Sequence, residues 1–334
     1  MPPGMTAPTL DGLSGAVLVV YTSGTTGEPK GVRLTRENLE AAARASMDHL
    51  DHGPDDTWLA VMPLHHVGGL SILVRSAFAG GAVLLEERFD PVAVASALRG
   101  EATIVSVVPT MLQRLLEVDP GPYPRLRAVL VGGGPIPDGL LERAAEAGLP
   151  ALPSYGMTEA FGQVATLRPG SEPARRAHLL PGVEIRIEED GRIAVRGPQV
   201  SPGYLGEPDR DEDWLVTNDL GVLDDEGVLT VLGRADTVIV TGGEKVDPAT
   251  VERRLVEHPG VEEAVVVGLP DEEWGEVVAC LYSGIAQPGD LRSWLGERLP
   301  GYMVPKQWRA VGGIPRTSLG KPDRAAAAAA FSTL

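Results

Sequence analysis

From Gly15 to Ser154, short apolar runs alternate with stretches whose apolar residues recur at helical spacing, the texture of strands and helices layered on a parallel sheet. The runs Ala16 to Tyr21, Thr57 to Met62, Ala82 to Leu85, Thr103 to Val108, Ala128 to Val131 and Ala151 to Ser154 read as strands. Stretches such as Arg36 to Leu50 and Pro137 to Ala147 read as helices beginning near Thr35 and Pro135, plausible start signals. From Val183 to Leu232 the runs shorten and are divided by turns such as Glu189-Asp190-Gly191 and Asp224-Asp225-Glu226-Gly227, which predicts a small β-rich subdomain. Beyond Arg234 the order becomes strand, helix, strand, strand, helix, strand: Val238 to Thr241, Pro248 to Val256, Glu263 to Gly268, Glu276 to Tyr282, Leu291 to Leu299 and Gln307 to Val311. The expected organisation is a large α/β domain over 1–235, including the β-rich subdomain, and a small α+β domain over 236–334, about 100 residues and a common size for an independent unit. There is no internal repeat.

Ligands in such sheets bind in loops at the carboxyl ends of strands, and the polar motifs fall there. Thr22 to Gly31 offers four hydroxyls (Thr22, Ser23, Thr25, Thr26), three glycines (Gly24, Gly27, Gly31) and Lys30 directly after a strand. Backbone N–H groups exposed by glycine, with hydroxyl donors, suit a polyphosphate tail; a solvated Gly/Thr turn is the alternative. The spacing is not that of the GxxxxGK[ST] nucleotide loop, and Pro29 interrupts it. Gly132, Gly133 and Gly134 follow one strand, and Tyr155-Gly156-Met157-Thr158-Glu159 follows the next. Glycines permit close approach to a flat base, Tyr155 offers a ring to stack on it, and Glu159 is a hard oxygen ligand suited to Mg²⁺. A plain tight turn explains the triple glycine equally well. Asp219 is able to accept from two ribose hydroxyls, with Arg234 a nearby cation, although such residues often only solvate a turn.

Composition narrows the picture. With 43% hydrophobic residues over 334 positions, the chain can bury a sizeable core. A net charge of −17 argues against a general nucleic-acid surface, which needs lysines and arginines to neutralise phosphates. A phosphate-bearing ligand must then be held by local donors. The single Cys280 makes no internal disulfide and lies in an apolar run, so it reads as a small core residue in a reducing compartment. The start of the chain shows no basic and apolar export signal, and no stretch approaches the roughly 18 to 20 apolar residues of a membrane helix; a cytoplasmic location is expected.

In order along the chain, the Tyr21 to Gly31 segment, Tyr155 to Glu159, Asp219, Gly233-Arg234-Ala235-Asp236, Gly242-Gly243-Glu244-Lys245 and Arg316 to Lys321 resemble the acyl-adenylate-forming superfamily of acyl-CoA synthetases, adenylation domains and luciferases. The resemblance spans nearly the whole chain. Within it, the stretches Met62 to Ser76, Val107 to Leu116 and Val131 to Pro135 are most similar to the o-succinylbenzoate-CoA ligase family of menaquinone biosynthesis. Ala160-Phe161-Gly162-Gln163 departs from that family, which tends to carry small hydroxyl residues before the glutamine. The Thr/Ser/Gly loop also begins near position 22 instead of after a hundred or more residues, so the chain is either a short ligase or a fragment.

The resemblance implies an acid-CoA ligase using ATP, Mg²⁺ and CoA through an acyl-AMP. Lys321 would bridge the attacking carboxylate and the α-phosphate, Glu159 would hold Mg²⁺, and the loop of Thr22, Ser23, Gly24, Thr25, Thr26, Gly27 and Lys30 would follow pyrophosphate. Gly132, Gly133, Gly134, Tyr155, Gly156, Met157 and Thr158 would border the nucleotide, and Asp219 and Arg234 its ribose. Asp236 would be the hinge about which the small domain turns, bringing Gly242, Gly243 and Lys245 to the CoA path, with Lys306 a further candidate. His66, Gly69, Ser71, Gly156 and Gln163 would border the acyl group, with Arg75 and Arg114 candidates for a second carboxylate; a packed histidine or helix-surface arginine is the alternative reading. The partners are small molecules, 2-succinylbenzoate foremost. Other aryl or fatty acids, a carrier protein, or a non-catalytic nucleotide-binding module remain as alternatives. No feature of the sequence sets an oligomeric state.

Overall fold

The computed structural model describes residues 15–23, 29–316 and 322–331. Its elements run β1 (Ala16–Ser23), β2 (Pro29–Thr35), α1 (Arg36–Leu50), β3 (Thr57–Ala60), α2 (Val67–Ala79), β4 (Ala82–Leu85), α3 (Pro91–Arg99), β5 (Ile104–Val107), α4 (Pro109–Val118), β6 (Ala128–Gly132), α5 (Leu140–Glu146), β7 (Ala151–Met157) and β8 (Gly162–Thr166). There follow β9 (Ala177–Leu179), β10 (Glu184–Ile187), β11 (Arg192–Arg196), β12 (Gly203–Tyr204), β13 (Leu215–Leu223) and β14 (Val228–Arg234). Last come β15 (Ile239–Thr241), β16 (Glu244–Val246), α6 (Pro248–Val256), β17 (Val261–Asp271), β18 (Gly275–Gly284), α7 (Pro288–Gly296), β19 (Gln307–Ala310) and α8 (Arg324–Ala329).

The chain forms two compact units. The first comprises Met1–Gly134, Leu140–Thr217 and Gly221–Val231, and the second Pro135–Gly139, Asn218–Leu220 and Leu232–Leu334. The first is built on an 11-stranded sheet ordered β10-β11-β13-β14-β9-β8-β7-β6-β5-β3-β4. Strands β4, β3, β5, β6 and β7 pair in parallel, and β8 and β9 continue the sheet antiparallel. Trp58, Ile72, Ile104, Leu130 and Leu152 pack into the core of the parallel part. The indole N–H of Trp58 donates to Ser106 Oγ at 3.1 Å, so this buried ring keeps its polar atom paired. A second cluster, including Val164, Ala165, Leu180, Val183 and Ile193, underlies the β-rich region.

At the amino ends of β3, β5 and β6 sits a polar staple. The Asp56 carboxylate accepts from Arg127 Nε at 2.6 Å, Thr103 Oγ1 at 2.7 Å and Gly53 N at 2.9 Å, while Arg127 Nη1 donates to Leu50 O at 2.7 Å. It joins the end of α1 to three adjacent strands. Helix α1 starts where the sequence signals it: Thr35 Oγ1 accepts from Asn38 N, and Asn38 Oδ1 accepts from Thr35 N.

The second unit carries a 5-stranded sheet made of β16, β15, β18, β17 and β19. One face packs on α6 and α7 through Val251, Leu255, Leu291 and Leu295; the other meets Ala327 of α8. Cys280 is buried in the first of these layers, and desolvation pushes its thiol well up, as befits an inert core residue.

The observed elements differ from the sequence expectations in five places. Ala16 to Tyr21 does not join the parallel sheet. It pairs antiparallel with β2 in a separate 3-stranded sheet with β12, because Val32 and Leu34 of β2 share a core with Val20. Strand β3 stops at Ala60, and β7 runs on to Met157 because β8 pairs beside its end. Helix α5 starts only at Leu140, beyond Pro135, Pro137 and Gly139 with its φ of 73°. Helix α7 begins at Pro288, where proline occupies the first turn with no N–H to lose.

Candidate active site

Because β6 and β7 are parallel neighbours, Gly132 lies opposite Ser154, and the triple-glycine segment emerges beside Tyr155. A Cβ on Gly132 would stand 2.8 Å from Ser154 O, so close strand approach demands glycine there whatever binds above it. Tyr155 and Met157 are half-buried and pack against the β-rich core, leaving Thr158 and Glu159 to turn out of the sheet.

Glu159 borders a cleft of about 500 Å³ with Ser201, Gly203, Tyr204, Glu207, Asp209 and Arg210. Its Oε1 accepts from Tyr204 Oη at 2.8 Å, and its backbone carbonyl accepts from Ser201 N at 2.7 Å. Burial and the adjoining carboxylate raise the Tyr204 phenol above its usual range, so the hydroxyl remains a donor. Lys30 reaches the same place from β2, with Nζ 3.6 Å from Glu207 Oε1 and 5.0 Å from the centre of the Tyr204 ring. Thr22 lies across the hairpin from Lys30. The expected phosphate residues Gly24, Thr25, Thr26 and Gly27 lie outside the described residues, and Ser23 ends β1.

The donor set around Glu159 fits Mg²⁺ in its usual style. No group of three or more His, Cys, Asp or Glu among the described residues forms a cage, while the Glu159 carboxylate faces an open cleft that Glu207, Asp209 and Asp211 also line, with Lys30 beside it. Mg²⁺ commonly takes one or two carboxylates and completes its shell with waters and substrate phosphates.

The residues expected at the acyl group converge where α2 meets the turn between β7 and β8. His66 precedes α2, with its ring 4.3 Å from that of His65. A Cβ on Gly69 would come within 2.5 Å of the Met62 and Pro63 carbonyls, and one on Gly156 within 2.2 Å of Gly162 O; both glycines let backbones touch. Ser71 is buried beside Gly162, and Arg75 Nη2 lies closest of all, 2.6 Å from a Cβ placed there. Arg75 is only 3% exposed, its Nε and Nη2 make no hydrogen bond within the described structure, and burial lowers its pKa to about 9. It is therefore a core cation on α2 and not a helix-surface one; Arg114 is exposed. The Gln163 amide is committed to the core: Oε1 accepts from Ser46 Oγ at 2.8 Å and Nε2 donates to Thr166 Oγ1 at 2.9 Å.

In the second unit, the Arg234 guanidinium sits between two carboxylates. Nη1 donates to Asp219 Oδ1 at 2.9 Å, and Nε and Nη2 donate to Asp236 at 2.9 and 2.8 Å. The Asp236 bond and these charges raise the Arg234 pKa above an already high value. Asp219, Arg234 and Asp236, scattered in sequence, thus form one triad. Gly242 and Gly243, at φ 58° and 84°, close the β15–β16 hairpin as a two-residue turn, a structural need for glycine independent of ligand. Trp274 covers Gly242, accepting from its N–H at 2.9 Å through the backbone carbonyl, and Lys306 Nζ lies 3.4 Å from the Trp274 ring centre. Lys245 is exposed on β16. Lys321 lies outside the described residues.

Tyr204 and the depth of Arg75 escaped the sequence reading. A signal for the first existed: Gly203-Tyr204 follows a Ser-Pro turn and makes a short strand beside β2, but its pairing with the phosphate-loop strand is visible only in three dimensions.

Profiles of known families match two stretches: AMP-binding enzyme over residues 8–205, and the AMP-binding enzyme C-terminal domain over residues 250–321. The chain is 40% identical to a 2-succinylbenzoate–CoA ligase of Listeria monocytogenes over 93% of its own length and 69% of the relative's. It is 41% identical to the enzyme of that name from Bacillus mycoides over 92% of its length, again 69% of the relative's. Among solved structures it is similar to the o-succinylbenzoate CoA synthetase MenE of Bacillus subtilis in complex with the acyl-adenylate intermediate OSB-AMP, with a TM-score of 0.86 and 37% identity over 94% of this chain and 69% of that one. The same synthetase in complex with ATP and magnesium ion gives a TM-score of 0.86 at 38% identity, covering 94% of this chain and 70% of that one.

Proposed function

The chain belongs to the AMP-binding enzyme family, and from that premise we infer that it is an AMP-forming acid-CoA ligase that converts 2-succinylbenzoate, ATP and CoA to 2-succinylbenzoyl-CoA, AMP and diphosphate, a step of menaquinone synthesis. The observation that carries the substrate is the identity of about 40% to 2-succinylbenzoate–CoA ligases, sustained over nearly the whole chain. Arg75 supports it from the structure. A buried guanidinium without a carboxylate partner among the described residues suits a substrate bearing a second carboxylate, which a monocarboxylic fatty acid lacks.

A carboxylate is a poor acyl donor because its leaving group would be oxide. Attack of one substrate carboxylate oxygen on the α-phosphorus of ATP forms the new P–O bond, breaks the bond to the β-phosphate oxygen and releases pyrophosphate as the acyl-AMP forms. We assign Lys321 the role of bridging the attacking carboxylate and the α-phosphate, so that like charges meet across a cation. Thr22, Ser23, Gly24, Thr25, Thr26, Gly27 and Lys30 hold the departing phosphates, and Glu159 holds Mg²⁺, which offsets phosphate charge when bound. Asp219 accepts from the ribose hydroxyls, with Arg234 holding that carboxylate in place; Gly132, Gly133, Gly134, Tyr155, Gly156, Met157 and Thr158 border the base. In the second half-reaction the CoA thiolate attacks the acyl carbonyl and AMP leaves. For this we assign residues 1–235 to adenylation and 236–334 to a lid hinged at Asp236, which withdraws Lys321 and presents Gly242, Gly243 and Lys245 to CoA. His66, with Gly69, Ser71, Gly156 and Gln163, shapes the acyl site. No helix among the described residues is long and apolar enough to cross a membrane, and we place the reaction in the cytoplasm with small-molecule partners.

The test is pyrophosphate release with Mg-ATP and 2-succinylbenzoate, wild type beside Lys321→Ala, followed by thioester formation with CoA. Loss of a positioned charge at the transition state should lower release on the order of 100- to 1,000-fold. Release with benzoates or fatty acids but not with this diacid would reassign the pocket, and silence with every acid would overturn the ligase reading.

A further inference from the structure

Tyr204 lies outside every motif that suggested the reaction, yet it touches two of the groups assigned to it. Its strand, β12, pairs with β2 so that Tyr204 lies opposite Val32, two positions from Lys30. The turn before it is tied down on both sides: Ser201 N donates to the Glu159 carbonyl at 2.7 Å, and Ser201 Oγ to the Arg33 carbonyl at 2.6 Å. From this anchored turn the Tyr204 hydroxyl donates to Glu159 Oε1 at 2.8 Å, and Lys30 Nζ stands 5.0 Å from the ring centre. Glu159 and Tyr204 line the same cleft of about 500 Å³.

We propose that Tyr204 is a positioning residue for adenylation, its hydroxyl orienting the Glu159 carboxylate toward the cation and its ring steadying Lys30 on the phosphate side. The proposal rests on the assignment of Glu159 as the Mg²⁺ ligand. A phenolic O–H donated to one carboxylate oxygen fixes the rotation of that group and leaves lone pairs on the other for a cation. Such partners of a metal ligand typically govern affinity. The ring acts separately, through its negative face toward the ammonium. The two contributions are therefore separable: Tyr204→Phe deletes the hydroxyl and keeps the ring, whereas Tyr204→Leu deletes both.

The decisive measurement is binding of Mn²⁺ with ATP to the full chain, followed by water-proton relaxation, beside pyrophosphate release as a function of Mg²⁺ concentration. Tyr204→Phe should weaken Mn²⁺ binding about 10-fold and raise the Mg²⁺ concentration for half-maximal release in proportion, with most of the deficit closing at saturating Mg²⁺. Tyr204→Leu should also raise the ATP KM at saturating Mg²⁺. Glu159→Gln serves as the reference. If it weakens Mn²⁺ binding while Tyr204→Phe matches wild type, the positioning role is overturned. If Glu159→Gln itself matches wild type, it is the assignment of Glu159 that fails. A Tyr204→Phe protein that melts earlier but keeps wild-type Mn²⁺ affinity would give the tyrosine a structural role only, and overturn the proposal as well.

Discussion

Arg234 shows how a single residue can be weighed by magnitude. Its side chain is 43% exposed, and ion pairs so exposed contribute about 0–1 kcal/mol to stability, so the Asp219–Arg234–Asp236 triad is poorly explained as a stabilising device. On the ribose assignment proposed above, its value is geometric, in holding the Asp219 carboxylate in place. Arg234→Gln should leave the melting temperature nearly unchanged and raise the ATP KM about 10- to 100-fold, the cost of losing a charge-assisted bond that orders the acceptor. Steady-state kinetics beside a thermal melt separate the outcomes; a lowered melting temperature with an unaltered KM would make Arg234 structural. At this scale the sequence supplied the candidate polar residues, because the motifs that hold them are short and local. It was silent on their mutual engagement. That Asp236 shares a guanidinium with Asp219, or that Gln163 is spent on Ser46 and Thr166, depends on strands brought together by the fold.

At the scale of elements, the Asp56 staple ties the end of α1 to three strands. Burial alone would raise the Asp56 pKa, but donation from Arg127, Thr103 and Gly53 outweighs it and holds the carboxyl at about 2. An acid whose folded pKa is depressed binds its proton more readily when unfolded, so its contribution is present above the unfolded value of about 4 and is lost as pH falls through about 2. Denaturant melts between pH 5 and pH 2 should therefore show wild type converging on Asp56→Asn. At pH 7 the variant should be less stable by about 1–3 kcal/mol, since Arg127 keeps its half-buried charge without a counter-ion. A constant difference across that pH range would show that Asp56 is not the titrating group. Periodicity predicted most of the strands and helices tied together here. It placed Ala16 to Tyr21 in the wrong sheet, since a short continuous apolar run is compatible with either pairing and only the neighbouring β2 decides.

Across the whole molecule, the proposed alternation between half-reactions turns on Asp236. Proline there fixes φ and should depress one half-reaction more than the other, read as pyrophosphate release against thioester formation from supplied acyl-adenylate. Asp236→Asn keeps the backbone free and controls for loss of the Arg234 pair; equal losses in both steps with proline would count against a hinge. The excess of acidic residues, −17 overall, gives anionic substrates no general attraction, so affinity must come from a few placed donors. By itself the sequence determined the α/β class, the family and the identity of the polar groups, because apolar periodicity and short motifs are local properties that survive in one dimension. Only the tertiary structure decided that Arg75 is a buried cation, that Tyr204 reaches Glu159 across 45 positions, and that Asp219, Arg234 and Asp236 are one unit. Burial and side-chain contact are set by strand order and register, which no local pattern encodes.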